Sequence, residues 1–555
     1  MQEVKIAVLG NYATQFTCKS IEKAFKKKGC KAILYNAEFN AIDFEIIDEN
    51  SGLYKFEPSY LLWHESTLGL RDLFYQTSVN DRSCFAKNYI EKIETYIGRI
   101  RQILPNTVIL FPNHGLIFND NIFGNFAAKV DSSWFFQVVK LNALVNEVSV
   151  RNDSFYVFDS VNQELYGRHT DYSQVVNAEL HFTPPYLDWL AESIAKFVLT
   201  ISGKFKKCVI LDLDNTLWGG IIGDDGLEGI QIGSLGIGKA FTRFQKWLKE
   251  LKNRGVVLAV CSKNNLEVAQ QPFRSHSDMI LSLDDIAVFI ANWDSKADNI
   301  NTIREILNIG FDSMVFLDDN PAERDIVRKH LPDVEVPEMP EDPAEYVPFL
   351  IAQNIFETSS YSTNDSERTQ QYQIEAQRVE MSKSITDMSV FLTSLNMRAE
   401  VRSFRKEDVD RVAQLTQRSN QFNLRTIRYT SSEINSMIEN KEYCTFCVEV
   451  NDKFGSYGLI SVGIIKLLGG GVAFIDTWIM SCRVLKRTVE HYLMNTIVGY
   501  LKEKKIEKLE GEYLSTIKNS LVENLLDELG MEKTNEDKYE LYLDKHVKLK
   551  TYINL

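Results

Sequence analysis

Asp212 and Asp214 stand one residue apart at the end of an apolar run, Cys208-Val209-Ile210-Leu211, in the stretch Val209-Ile210-Leu211-Asp212-Leu213-Asp214-Asn215-Thr216-Leu217-Trp218-Gly219-Gly220. Such a run predicts a buried parallel strand. The carboxyl edge of an open α/β sheet is where ligands bind. Two carboxylates this close repel, so they persist where a cation neutralises them or one carries a proton. A hard cation with oxygen ligands, Mg²⁺ above all, suits the pair. Asp-rich turns after strands are also common, so the bare Asp-x-Asp leaves a structural reading open. The longer form, with Asn-Thr and then Trp-Gly-Gly, is far more specific.

Three further motifs follow in order. Val256 to Cys261 is a second apolar run, ending in Ser262-Lys263-Asn264-Asn265. A serine at that edge, with the N–H groups of the next turn, suits a phosphate oxygen; it equally suits a helix cap. In Asn292-Trp293-Asp294-Ser295-Lys296-Ala297-Asp298, Lys296 opens a predicted helix. The dipole there favours anions, although a solvated lysine reads as well. Met314-Val315-Phe316-Leu317 then delivers Asp318-Asp319, and Pro321 in Asn320-Pro321-Ala322-Glu323-Arg324 fits the first turn of a helix.

In that order, Asp212-x-Asp214-x-Thr216, Ser262, Lys296 and Asp318-Asp319 resemble the four motifs of the haloacid dehalogenase (HAD) superfamily. The wording from Asp212 to Gly226 resembles its FkbH-like branch, subfamily IIIC. So do Gln414-Leu415-Thr416-Gln417-Arg418-Ser419-Asn420-Gln421-Phe422-Asn423-Leu424 and Phe454-Gly455-Ser456-Tyr457-Gly458-Leu459-Ile460. The resemblance implies an enzyme with Asp212 as nucleophile on phosphorus and Asp214 as general acid and then base. It implies Mg²⁺ among Asp212, Asp214 (through its carbonyl), Asp318 and Asp319. Thr216, Ser262, Asn264 and Lys296 would bind the phosphorylated substrate, with Asp319 orienting Lys296 or a metal-bound water. Members of the branch are linked to loading a glyceryl unit from 1,3-bisphosphoglycerate onto an acyl carrier protein with loss of phosphate. A phosphatase of sugar or glycan metabolism with flanking binding domains is the alternative, as is acyl or acetyl transfer by the C-terminal block.

Three α/β or α+β domains are expected. Residues 1–202 show strands at Val4–Leu9, Tyr60–Trp63, Thr107–Phe111 and Phe155–Phe158 alternating with helical patterns, which predicts a flavodoxin-like α/β layer with a parallel sheet. Gly10-Asn11, Pro112-Asn113-His114 and Ala178-Glu179-Leu180-His181-Phe182 resemble the SGNH hydrolases, but Asn11 stands near the place where that family has its serine, and Ala178 where an orienting aspartate three residues before His181 would sit. The expectation is a degenerate domain. Residues 203–365 are expected to form a capless Rossmann-like unit. The Gly-rich flap Trp218–Gly233 and one amphipathic helix, Phe241–Asn253, use up most of the gap before Ser262 and leave no room for a cap domain. An open site admits a tethered or macromolecular substrate. A polar stretch, Thr358 to Gln371, predicts a linker into residues 366–555.

This last block resembles GNAT acyltransferases through Ile460–Ile465, Val472–Met480 and Ser481–Glu490. In that family an Arg-x-x-Gly-x-Gly/Ala loop cradles a pyrophosphate. Here Arg483 is in register, while Lys486 and Thr488 replace the small residues. Arg483 and Lys486 are candidates for holding coenzyme A or, more readily, a carrier's phosphopantetheine arm, with Trp478 and Tyr492 as flanking or core rings.

The net charge of −14 over 555 residues argues against a general nucleic-acid binder or an anionic-membrane surface. Docking an acidic carrier would need a local basic patch, for which Arg402, Arg405, Lys406, Arg411 and Arg418 are candidates. The N-terminus lacks the apolar core of a signal peptide, and no apolar run is long enough to span a bilayer. A cytoplasmic protein with reduced thiols is the expectation. Cys444-Thr445-Phe446-Cys447 lies in a β-like stretch with no second pair, which favours a structural role over zinc or redox chemistry.

Overall fold

The computed structural model describes residues 2–116, 122–162, 167–361, 368–383, 385, 387–419, 421–481, 484–516, 519–535 and 537–554. The described residues form three sheets. It divides into two compact units, Met1–Val198 and Leu199–Leu555, the second of which holds two of the sheets.

In the first unit β1 (Gln2–Gly10), β2 (Cys30–Asn36), β3 (Tyr60–His64), β4 (Val108–Pro112) and β5 (Phe155–Phe158) form a parallel sheet in the order β2-β1-β3-β4-β5. Helices between the strands include α1 (Gln15–Lys27), α2 (Thr67–Gln76), α3 (Phe85–Ile103) and α4 (Trp134–Val150). Every residue of β3 is buried, as a strand covered on both faces requires. The expected strands match to within two residues at each end.

The second unit opens with a four-stranded parallel sheet, ordered β8-β7-β6-β9, from β6 (Cys208–Leu211), β7 (Val257–Ser262), β8 (Ile286–Ala291) and β9 (Met314–Leu317). Between β6 and β7 lie α5 (Ile222–Gly229) and α6 (Gly238–Asn253); α7 (Leu266–Ser275) follows β7, α8 (Lys296–Leu307) follows β8, and α9 (Pro321–His330) follows β9. The amphipathic helix begins three residues earlier than expected, at Gly238.

Residues 362–367 of the expected linker lie outside the described residues. Its last four residues are already helical, because α10 (Arg368–Lys383) draws on a run of good helix formers. This helix fastens the two sheets of the unit together. On one side Gln373 Nε2 donates to the Ile286 carbonyl (2.9 Å) on edge strand β8. On the other, Arg378 makes a bidentate pair with Asp452 (2.8 Å to each oxygen), and Glu375 accepts from Arg378 and Arg487. The side chains of Arg378, Asp452, Glu375 and Arg487 are all buried, so each charge depends on its partners.

The third sheet has eight strands, ordered β15-β16-β14-β13-β12-β11-β10-β17: β10 (Met397–Arg402), β11 (Tyr443–Asp452), β12 (Gly455–Gly469), β13 (Val472–Met480), β14 (Lys508–Glu512), β15 (Glu532–Lys533), β16 (Lys538–Tyr542) and β17 (Ile553–Asn554). Helices α11 (Val409–Arg418) and α12 (Val489–Glu503) belong to the same block. Cys444 packs with Phe446 and Val448 on one face of β11, whereas Cys447 faces the other core. The two thiols therefore cannot meet on one metal. Among the described residues no helix is long and apolar enough to cross a membrane.

Three buried histidines give the first unit a pH dependence. Burial holds His114 at about 4 and His169 at about 3, and His64 well below its ordinary value. The native state keeps these rings neutral, while the unfolded chain takes up their protons as pH falls through about 6.5. Stability is thus present at neutral pH and lost progressively below about 6.5. At pH near 5 the loss is ~2 kcal/mol for each of His114 and His169. Protection factors of the β1, β3 and β4 amides should fall steeply between about pH 7 and 5; unchanged protection would contradict the burial of neutral rings.

Candidate active site

Strand register builds the site. β6 pairs with β9 in parallel, with Leu211 opposite Leu317, and the Asp212 N–H donates to the Leu317 carbonyl (3.0 Å). Asp212 and Asp318 are therefore neighbours at the carboxyl edge, each one residue past a fully buried strand. One carboxylate oxygen each from Asp212, Asp318 and Asp319 lies within 4.8 Å of the others. Asp318 is completely buried and Asp212 is 8% exposed.

Lys296, the first residue of α8 and 3% exposed, is aimed at this cluster. Its ammonium lies 3.0 Å from Asp212 Oδ2 and in direct contact with Asp318 Oδ2. Burial opposes its charge, but the two carboxylates outweigh burial and raise its pKa. Burial, then repulsion from Asp212, pushes Asp318 up to about 6 against the pull of Lys296. Asp319 is raised by the same two causes. One cation among three carboxylates leaves a deficit of positive charge, and Asp212 Oδ1 is buried with no hydrogen-bond partner. An orphaned carboxylate oxygen beside two more acids is the donor set a hard divalent cation takes.

The other sequence-predicted residues are gathered at the same edge, in roles that partly differ from expectation. Thr216 Oγ1 donates to Asp319 Oδ1 (3.2 Å) and accepts from the Asp319 N–H (3.1 Å), so it sets Asp319. Lys296 is held by Asp212 and Asp318, and not by Asp319. Ser262 ends β7, buried, and its carbonyl accepts from the Asn292 N–H (3.2 Å). Asn264 Nδ2 donates to Asp214 Oδ2 (3.1 Å). The Asp214 carboxylate is also engaged by the flap, where Oδ1 accepts from Trp218 Nε1 and from the Ile222 N–H, each at 3.0 Å. Burial raises Asp214, and those donors work against the rise.

Arg324 is a participant that spacing did not single out. It is 5% exposed, and its Nη1 donates to the carbonyls of Asp318 (2.8 Å) and Asp319 (2.7 Å), while Nη2 pairs with Glu338. Its place in the first turns of α9, reaching back over the strand end, was the available signal.

In the first unit Asn11 follows β1, but its amide is turned onto Ser66: Asn11 Oδ1 accepts the Ser66 N–H (2.6 Å) and Nδ2 approaches the Ser66 carbonyl (3.5 Å). His181 Nδ1 lies 2.7 Å from Ser66 Oγ, a pair hidden from sequence because Ser66 follows a different strand. Ser66 is 1% exposed, and its hydroxyl also caps α2 by accepting from the Leu68 N–H (3.2 Å). Ala178 offers no carboxylate to His181. His114 is buried with neither ring nitrogen partnered.

In the third sheet Arg483 and the side chain of Arg418 lie outside the described residues. Arg402 is engaged by Asp408 and Glu449, Arg405 pairs with Glu407, Arg411 donates to Gln414, and Lys406 is exposed. Trp478 is a fully buried core ring, and Tyr492 packs partly buried against the same core. Lys486 and Thr488 both adopt positive φ, 62° and 60°, so the loop before α12 keeps a backbone that favours glycine while carrying side chains. The Thr488 hydroxyl accepts from the Tyr552 N–H (3.1 Å), and the Thr551 hydroxyl reaches the Thr488 carbonyl (3.3 Å). The C-terminal segment is thus laid on the loop. Beside it, β13 pairs with β14 only over Val472–Phe474. Its far end pairs instead with Phe422 and Leu424.

The sequence profile described as "FkbH, N-terminal domain" matches residues 5–198. A solved structure of the N-terminal part of the protein BF1531 from Bacteroides fragilis, containing a phosphatase domain complexed with Mg, is 43% identical over 65% of this chain and 96% of that one, with a TM-score of 0.62. The ribosomal-protein-S18-alanine N-acetyltransferase from Escherichia coli is 12% identical over 26% of this chain and 90% of that one, at a TM-score of 0.21. The spermidine N-acetyltransferase from Vibrio cholerae in complex with CoA and spermine is 13% identical over 27% and 97%, at 0.22. These last two likenesses are too slight to carry an argument. No curated protein matches the chain.

The loop at Lys486–Thr488 predicts a poor pyrophosphate cradle. Calorimetry of the full chain with coenzyme A should give no saturable heat at micromolar concentrations. Binding in the low micromolar range, about −8 kcal/mol, would contradict the blocked loop.

Proposed function

The chain belongs to the FkbH-like family of the haloacid dehalogenase superfamily, and from that premise we propose that its middle domain catalyses Mg²⁺-dependent phosphoryl transfer through Asp212. The domain is of the phosphatase type. The observation that carries the reading is the convergence of Asp212, Asp318 and Asp319 on one point, with Lys296 beside them.

An oxygen of Asp212 attacks phosphorus, and the bond from phosphorus to the leaving oxygen breaks. Asp214 gives that oxygen its proton. Water then attacks the aspartyl phosphate, Asp214 takes the proton back, and inorganic phosphate leaves with Asp212 restored. Lys296, with Ser262 at the end of β7, faces the charge on the non-bridging oxygens, and such electrostatic positioning supplies most of the rate in phosphoryl transfer. Arg324 fixes the carbonyls of Asp318 and Asp319 and so the aim of both side chains. Mg²⁺ held by Asp212, Asp318 and the Asp214 carbonyl would neutralise phosphoryl charge.

The finer reading is that the substrate is 1,3-bisphosphoglycerate: Asp212 removes the phosphate of its ester position, while the thiol of an acyl carrier protein attacks the acyl carbon, the acyl carbon–oxygen bond breaks, and the acyl phosphate leaves as inorganic phosphate. Two things support it: the FkbH-like wording of the motifs, and an edge where only the flap and α6 lie between β6 and β7. A site without a cap domain accepts a tethered acceptor. A plain sugar phosphatase shares the first half of the chemistry and differs in needing no carrier.

The test is Asp212→Asn, assayed with Mg²⁺ on an aryl phosphate and on 1,3-bisphosphoglycerate, with and without a phosphopantetheinylated carrier. Turnover should fall by at least about a hundredfold, and chelation of the metal should abolish the wild-type rate. Turnover of the variant above about a tenth of wild type would remove Asp212 as nucleophile. Phosphate release that ignores the carrier would favour the plain phosphatase.

A further inference from the structure

The stretch from Asn215 to Asp225 is spent on one task that the catalytic scheme leaves unexplained. Three consecutive backbone N–H groups of the flap are each received by a different side chain. Asn215 Oδ1 accepts from Gly220 (2.9 Å), Asp225 Oδ2 from Ile221 (2.8 Å), and Asp214 Oδ1 from Ile222 (3.0 Å). Gly220 has φ of 92°, and a Cβ there would stand 2.5 Å from Asp225 Oδ2, so glycine is required for this line of donors to form. The base of the flap is closed by the paired hydrogen bonds between Gly219 and Gln231 (3.0 and 2.8 Å). Trp218, fully buried and edge-on to Phe273, adds a second donor to the same oxygen of Asp214 through its indole N–H.

The consequence is chemical. A carboxyl oxygen has two lone pairs. Both of those on Asp214 Oδ1 are committed, to Trp218 Nε1 and the Ile222 N–H, so that oxygen has no place for a proton. Oδ2 accepts one hydrogen bond, from Asn264, and keeps its second lone pair. We propose that Trp218 is a positioning residue for phosphoryl transfer: with the Ile222 N–H it locks the Asp214 carboxyl plane, so that the proton passed to the leaving group rides on Oδ2 alone. This rests on the reading of Asp214 as proton donor. Because both donors to Oδ1 belong to the flap, the acid is aimed only while the flap is seated, and the Trp-Gly-Gly signature becomes a device for aiming an acid.

Leaving-group dependence tests the proposal. Alkyl phosphates need the proton, whereas 4-nitrophenyl phosphate has a leaving group stable enough to depart without it. Trp218→Phe keeps a buried ring and removes the N–H. It should slow alkyl ester turnover at least about tenfold more than nitrophenyl ester turnover, with KM little changed for both. Benzothienylalanine at position 218, which replaces the indole N–H by sulfur at nearly constant shape, should show the same selective defect and guards against a folding artefact. Equal slowing of both esters in the isosteric variant, or no slowing, would overturn the positioning role while Asp214→Asn remained selectively defective on alkyl esters. Wild-type protein with no turnover of any ester would overturn the phosphoryl-transfer reading, and the role of Trp218 with it.

Discussion

Four carboxylates are crowded onto the ends of two adjacent parallel strands, and the surrounding structure is organised to make that tolerable. Asp212 and Asp318 are neighbours because Leu211 and Leu317 are in register. Asp214 and Asp319 follow within two residues. In a low-dielectric setting such repulsion is severe, and each acid is handled differently. Asp318 is pressed against Lys296, Asp319 is held by Thr216, and Asp214 is bonded to donors of the flap. Asp212 is left with an oxygen that has no partner. That uncompensated oxygen is what the proposed function rests on; a fully satisfied cluster would read as a structural ion network and nothing more.

The parallel sheet supplies the rigidity this arrangement needs. All four residues of β6 and all four of β9 are buried, so the strand ends cannot shift without opening the core. Lys296 reaches the cluster because it is the first residue of α8, where the helix dipole adds to its own attraction for anions. Arg324 clamps the main chain that carries Asp318 and Asp319. Away from the site, α10 ties the sheet edge to the third sheet through a buried ion network whose members cannot be removed singly without stranding a charge.

Sequence alone revealed what depends on local pattern. Unbroken apolar runs marked β6, β7 and β9, Asn320-Pro321 marked the start of α9, and residue type with spacing marked Asp212, Asp214, Ser262, Lys296, Asp318 and Asp319. It did not reveal which acid each polar residue would serve. Asn264 and Thr216 have the chemistry of phosphate ligands, yet their geometry gives them to Asp214 and Asp319. Trp218 was concealed because an aromatic ring in a flap looks like packing, and only its indole N–H shows otherwise. Ser66 meets His181 across 115 positions of sequence, a pairing no local pattern encodes. The polar stretch before Tyr372 looked like linker because its composition suits both a loop and a helix; its part from Arg368 belongs to α10, which Gln373 anchors to β8.

The central claim is that Asp212 becomes phosphorylated. Acid quenching during turnover, followed by borohydride reduction and peptide mass spectrometry, reports it directly, because reduction cleaves an aspartyl phosphate to homoserine. The account predicts homoserine at position 212 and nowhere else, dependent on added Mg²⁺ and substrate. Unmodified Asp212 throughout the steady state of Asp214→Asn, the variant in which the intermediate should accumulate, or reduction at a different residue, would contradict it.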